Sequence, residues 1–81
     1  MNDKVNVEDI NKWVVKIESL LDKISIEDPR GESMFTNMKA YIADSKHFRD
    51  ADDYVRGFEA IVWAWAIFEI GMDLGIFALE Q

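Results

Sequence analysis

Three carboxylates, Glu59, Glu69 and Asp73, punctuate an otherwise apolar stretch of the sequence. Read as a helix, that stretch brings all three to one side. Paired carboxylates can pass protons as general acid and base, or hold a hard cation. The plainer reading is the solvated side of a helix, with Arg56 as a surface ion-pair partner of Glu59. His47 is the single histidine. Asp44 stands three residues before it and Asp50 three after, a spacing that would suit a weak metal or acid–base site. The surrounding pattern puts His47 away from the apolar stripe, which favours an exposed helical side chain. No Glu-x-x-His pair is present for a di-iron bundle site. A Gly-rich phosphate loop, a Ser/His/Asp set and the Arg–His spacing of RNA-cleaving helical bundles are also missing. With no Cys, thiol chemistry and most zinc sites are excluded. No catalytic residue, cofactor or metal ligand is therefore assigned, and the chain is not expected to be an enzyme.

The chain that must position these groups has 81 residues, enough for one domain. It is 49% hydrophobic and 31% charged, which excludes a disordered tail. The net charge is −7. Residues 1–28 contribute −3, residues 29–50 contribute +1 and residues 51–81 contribute −5. Nucleic-acid binding needs clustered Lys and Arg, so nucleic acid is not an expected partner. The opening residues Met1-Asn2-Asp3-Lys4 lack the apolar core of a signal peptide, and a cytoplasmic location is expected. Residues 1–5 are expected to fray.

Three helical patterns follow the three charge blocks. Asn6 reads as an N-cap, with Asp9 three residues on and Val5 and Ile10 placed as a hydrophobic staple. Ile10, Trp13, Val14, Ile17, Leu20, Leu21 and Ile24 recur at three- and four-residue steps. They predict helix one over about 6–25. Asp28 and Pro29 suit an N-cap and N1 pair, although Gly31 weakens that start. A stripe of Met34, Phe35, Met38, Tyr41, Ile42, Ser45 and Phe48 predicts helix two over about 29–49. Acidic Asp50, Asp52 and Asp53 then favour a new helix N-terminus.

Helix three is predicted over about 53–78. Of the 33 large apolar residues, 15 fall between Tyr54 and Leu79. Small residues form one strip: Gly57, Ala60, Ala64, Gly71, Gly75 and Ala78. Phe58, Ile61, Trp65, Phe68, Met72 and Ile76 line one flank of it. Trp63, Ile67, Ile70 and Leu74 line the other. Such a strip admits neighbouring backbones closely, while the flanks fill grooves. The expected fold is all-α: an antiparallel up-down-up three-helix bundle, with helix three packed between helices one and two.

Residues 60–79 are long enough to span a bilayer, and Gly71 and Gly75 form a GxxxG pair. Their nine Ile, Val, Leu and Phe supply roughly −4 kcal/mol, against about +3 kcal/mol for each of Glu69 and Asp73. No membrane span is expected. Trp13, Trp63 and Trp65 are many for so small a core. Two partner helices need not cover all of helix three, so Trp63, Ile67, Ile70 and Leu74 form a candidate interaction surface.

Tyr41-Ile42-Ala43-Asp44-Ser45-Lys46-His47-Phe48, Asp53-Tyr54-Val55, Ala60, Gly71 and Leu74-Gly75 resemble the archaeal family catalogued as domain of unknown function 357. The resemblance covers roughly the C-terminal half to two-thirds of the chain and implies a small three-helix bundle without an assigned activity. It also implies an Ala-His-Gly-Trp run in helix three. Here the stretch is Ala64-Trp65-Ala66-Ile67, so Trp65 replaces the histidine, and Asp73 stands where a basic residue is implied. Tyr41, Asp44, Asp53 and Tyr54 are the polar positions that match. Their plain role is to tie the turn between helices two and three.

Two functions remain in view. The first is a non-enzymatic interaction or assembly module, its partner another protein or a second copy in a homodimer. The alternative is a small-ligand or metal-binding bundle using Glu59, Glu69 and Asp73, or the Tyr41/Asp44/His47 face.

Overall fold

In the computed structural model, which describes residues 6–80, Asn6 opens the first helix. The Glu8 N–H donates to its Oδ1 at 2.9 Å, and α1 runs Val7–Glu18. Glu8 and Asp9 occupy its first turn, where acids favour the helix dipole. Val5, the other half of the expected staple, lies outside the described residues.

Helix one is shorter than its stripe predicts. The chain leaves α1 at Ser19, whose Oγ donates to the Lys16 carbonyl at 2.6 Å. Leu21–Lys23 forms a single 3₁₀ turn, and Ile24–Ile26 is a short strand, β1. Its partner is β2, Phe77–Leu79, antiparallel, with Ile24 opposite Leu79 and Ile26 opposite Phe77. Glu27 N–H to the Ile76 carbonyl (2.8 Å) and Glu80 N–H to the Lys23 carbonyl (2.7 Å) extend the ladder at both ends. The chain is mostly helical, as expected of a three-helix bundle, but a two-stranded sheet that the helical patterns do not predict closes one end of it. Ile-Ser-Ile and Phe-Ala-Leu both alternate with period two, the spacing of a half-buried strand.

Asp28 does not cap helix two as expected. Its Oδ1 accepts from the Arg30 N–H at 2.8 Å, shaping the turn before α2, Gly31–Asp50. The first residue of the helix is glycine, and a side chain there would strike Ile26: an ideal Cβ would stand 2.6 Å from its Cγ2.

Between α2 and α3 (Tyr54–Asp73) one residue serves two helices. Asp53 donates its N–H to the Phe48 carbonyl at 2.8 Å, closing α2. Its carboxylate accepts from the Arg56 N–H at 3.2 Å, capping α3. Asp52, between them, takes a left-handed conformation at φ 63° and donates its N–H to the Arg49 carbonyl at 3.0 Å. That pair of bonds is the usual C-cap, with Asp in place of Gly.

Helix three also stops early, at Asp73 rather than near residue 78. Gly75 at φ 72° provides the left-handed turn. Its N–H donates to the Met72 carbonyl at 3.2 Å, and Ile76 N–H donates to the Gly71 carbonyl at 2.9 Å. Gly75 and Ala78 therefore leave the small strip, which consists of buried Gly57, Ala60, Ala64 and Gly71.

α2 and α3 pack as an antiparallel pair through this strip. Ser45, wholly buried, donates its hydroxyl to the Gly57 carbonyl at 2.6 Å. α1 is not separated from α2 by α3, as the predicted order had it; it touches both. Arg49 donates to Asn11 at 2.9 Å and Lys46 to Glu18 at 2.7 Å. Twelve residues of α1 cover only part of the two longer helices. Ile10, Val14, Ile17, Met38, Ile42, Ile61, Phe68, Ile76 and Phe77 fill the centre.

Candidate functional site

Burial around α3 is lopsided. Turning through 100° per residue, Gly57, Ala60, Ile61, Ala64, Phe68 and Gly71 fall on one arc, and all are buried. Both flanks were expected to fill grooves, and one does: Ile61 and Phe68 are buried in the core, and Phe58, Trp65 and Met72 pack against it. Among the described residues no helix covers the other flank, which α2 only borders, and the two valines of the adjoining face are open as well. Val55 is 57% exposed, Val62 49%, Trp63 59%, Ile70 52% and Leu74 61%, while Ile67 is half-buried. Trp63, Ile67, Ile70 and Leu74 follow one another by four, three and four residues, so they form one seam along α3. Tyr41 on α2 borders the seam, its ring stacked on Trp63 with centroids 6.2 Å apart.

The carboxylates lie around the seam but do not converge on a point. Glu59, Glu69 and Asp73 are all exposed. Glu59 and Glu69 are about 15 Å apart along the helix axis at 1.5 Å per residue. Among the described residues no three of His, Asp and Glu stand together as a metal site. Asp44 and His47 are exposed on α2, and the His47 ring meets the edge of Phe48 at 5.8 Å. Asp53 is the cap of α3, and its carboxylate also lies 3.6 Å from Arg56 Nε. Arg56 thus pairs with Asp53, not with Glu59. The Tyr54 hydroxyl donates to Asp52 Oδ1 at 3.2 Å. The neighbouring Asp52 charge disfavours a phenolate, holding Tyr54 above its ordinary pKa. The polar residues singled out in the sequence are thus spread over the turn and two helix faces, and form no single cluster.

A second feature was not read from the sequence. Trp13, Phe58, Ile61, Val62, Trp65 and Ala66 line an open apolar groove of about 510 Å³ between α1 and α3, with Lys16 and Glu69 on its walls. The Trp65 indole N–H donates to the Trp13 carbonyl at 3.2 Å. Its ring stands edge-on to Trp13 at 5.7 Å and to Phe68 at 5.6 Å. Lys12 and Lys16 place their ammonium groups 5.4 and 5.5 Å from the Trp13 ring. Two Trp separated by 52 residues gave no local signal for this groove.

Residues 12–77 match the family described as "Protein of unknown function (DUF357)". The chain belongs to this family. The match extends well N-terminal of residues 41–77, which carried the resemblance in the sequence. The chain is also similar to the crystal structure of protein AF1782 from Archaeoglobus fulgidus, assigned to the same family. The two share 37% identity over 90% of this chain and 91% of that one, with a TM-score of 0.82. No curated protein matches the chain. The family supplies the fold and no activity. Trp65, where the resemblance implies a histidine, is tied into the packing by Trp13 and Phe68. None of the described helices is long and apolar enough to cross a membrane.

Proposed function

We propose that this chain is a non-enzymatic interaction or assembly module of the cytoplasm, with the outward face of α3 as its binding surface. One observation carries the reading. Trp63, Ile70 and Leu74 are more than half exposed on a single seam, although they are residue types that fold by being buried. Exposed aromatic and branched side chains in register along a rigid helix form the anchors of protein interfaces. The family description assigns no activity. The partner is another protein or a second copy.

Two measurements test this. Light scattering across the micromolar range would detect a second copy. Capture from native cells, run in parallel with an Ile70→Ser/Leu74→Ser variant, would detect a distinct partner. A protein retained by the native chain and lost with the variant supports the reading. A strict monomer with no capture that depends on these two residues overturns it.

A small-ligand site is the second reading, and Glu69 favours it by lining the groove between α1 and α3. A ligand there would set an apolar body against Trp13 and Trp65. A thermal-shift screen of metabolites and metals, repeated on Glu69→Gln, tests it. No shift from any compound removes it.

A further inference from the structure

We infer that the partner of the α3 seam is an amphipathic helix whose apolar stripe is bordered by Lys and Arg. The inference rests on the binding-module reading and names the chemistry of the partner. The seam spacing of four, three and four residues is that of one helix laid along another, with ridges entering grooves. The charge around it is mostly negative, with Arg56 the one cation on the α3 side. Glu59, Ala66 and Asp73, seven residues apart, form the row beside the seam. Val55, Val62 and Glu69 form the next row. On the α2 side, Asp44 follows Tyr41 by three residues, one turn along the same side. The Lys and Arg residues of α2 face the other way: Lys39 lies 4.9 Å from the Phe35 ring, Lys46 pairs with Glu18, and Arg49 donates to Asn11. Arg56 lies at the seam's N-terminal end, but Asp53 holds it and its guanidinium lies 5.9 Å from the Phe48 ring.

A second copy fits this border poorly. A two-fold interface presents the same patch from both sides, so Asp44, Glu59, Glu69 and Asp73 would face their own kind. Like charges brought together disfavour a partner, and opposite charges select one. A basic border meets all four acids while the seam buries the partner's apolar stripe.

The test uses the full chain and three dye-labelled helical peptides, read by fluorescence anisotropy. One carries an apolar stripe with Lys borders, one the same stripe with Glu borders, and one the Lys composition with its stripe scrambled. The expected result is at least tenfold tighter binding of the Lys-bordered peptide than of either other. That preference over the Glu-bordered peptide shrinks in high salt. Glu59→Lys/Glu69→Lys/Asp73→Lys inverts it, and Ile70→Ser/Leu74→Ser abolishes binding. Equal affinity for Lys and Glu borders, or an unchanged preference in the triple variant, overturns the basic partner. The module reading survives that result if Ile70→Ser/Leu74→Ser still weakens binding. Equal binding of the scrambled peptide also overturns the proposal, because attraction is then diffuse. Binding of no peptide, or binding untouched at Ile70 and Leu74, overturns the basic-helix partner, and the module reading then stands or falls on the light-scattering and capture results.

Discussion

The ring of Phe77 occupies the space that a side chain on Gly71 would need: an ideal Cβ there would stand 2.6 Å from Cε2 of Phe77 and 2.9 Å from its Cγ. Phe77 is buried, lies on β2 and meets Phe35 of α2 edge-on at 6.3 Å. The last strand is thereby folded back onto the helix it follows. The glycine serves two contacts, because its carbonyl also accepts the Ile76 N–H that ends α3.

Gly71→Ala is expected to destabilise the protein by about 1–3 kcal/mol through overpacking, outweighing the roughly 1 kcal/mol that Ala adds to helix propensity. Gly75→Ala meets no atom within 4 Å, yet its φ of 72° makes it cost about 1 kcal/mol. Urea unfolding distinguishes the two, because a second substitution of Phe77 to Leu would relieve the first and leave the second unchanged.

Trp63 and Trp65 are two residues apart and are expected to behave oppositely. Trp65→Ala removes edge contacts with Trp13 and Phe68 and a hydrogen bond, a loss of order 3 kcal/mol. Trp63→Ala, mostly solvent-exposed, is expected to change stability by about 1 kcal/mol or less, through its stacking on Tyr41. Thermal unfolding of both variants checks the contrast, and equal losses would refute it.

The double variant Ile70→Ser/Leu74→Ser is expected to leave stability within about 0.5 kcal/mol for each substitution, since both side chains are more than half exposed. A large loss in urea unfolding would show that these residues support the fold, which would weaken the binding reading.

At the turn, Asp53→Ala is expected to cost about 1 kcal/mol by uncapping α3. Asp52→Gly is expected to be neutral or stabilising by up to about 1 kcal/mol, because glycine adopts the left-handed conformation freely. If instead Asp52→Gly is as damaging as Asp53→Ala, its bond to the Tyr54 hydroxyl matters more than the backbone.

Asp28 accepts from the Arg30 side chain at 3.0 Å through both Nε and Nη2, and from its backbone N–H at 2.8 Å. Those bonds hold its carboxyl below the usual aspartate value. A depressed folded-state pKa contributes stability that is present above the unfolded value and lost as pH falls through the folded one. Carbon-detected NMR titration should find Asp28 titrating at lower pH than free aspartate, and Arg30→Ala should raise it towards the ordinary value. No movement in that variant would refute the cause.

The sequence alone determined what local spacing can encode. Asn6 as the cap of α1 follows from its residue type, and the burial of Ile10, Val14 and Ile17, the Met38/Ile42/Ser45 stripe and the four small residues of α3 follow from a 3.6-residue period. Asp53 at the head of α3 follows from the acid cluster. The tertiary structure alone decided where α1 and α3 end. Leu20, Leu21 and Ile24 continue a helical stripe, and Ile76 and Phe77 continue another, so local pattern favours longer helices. What interrupts them is pairing of Ile24–Ile26 with Phe77–Leu79, segments more than fifty residues apart. The hydrogen bonds that satisfy those backbones exist only when the two ends meet, and no local window contains both. The outward seam on α3 has the same origin: its apolar residues are visible in the sequence. Their exposure depends on how much of α3 the short α1 and the longer α2 leave uncovered.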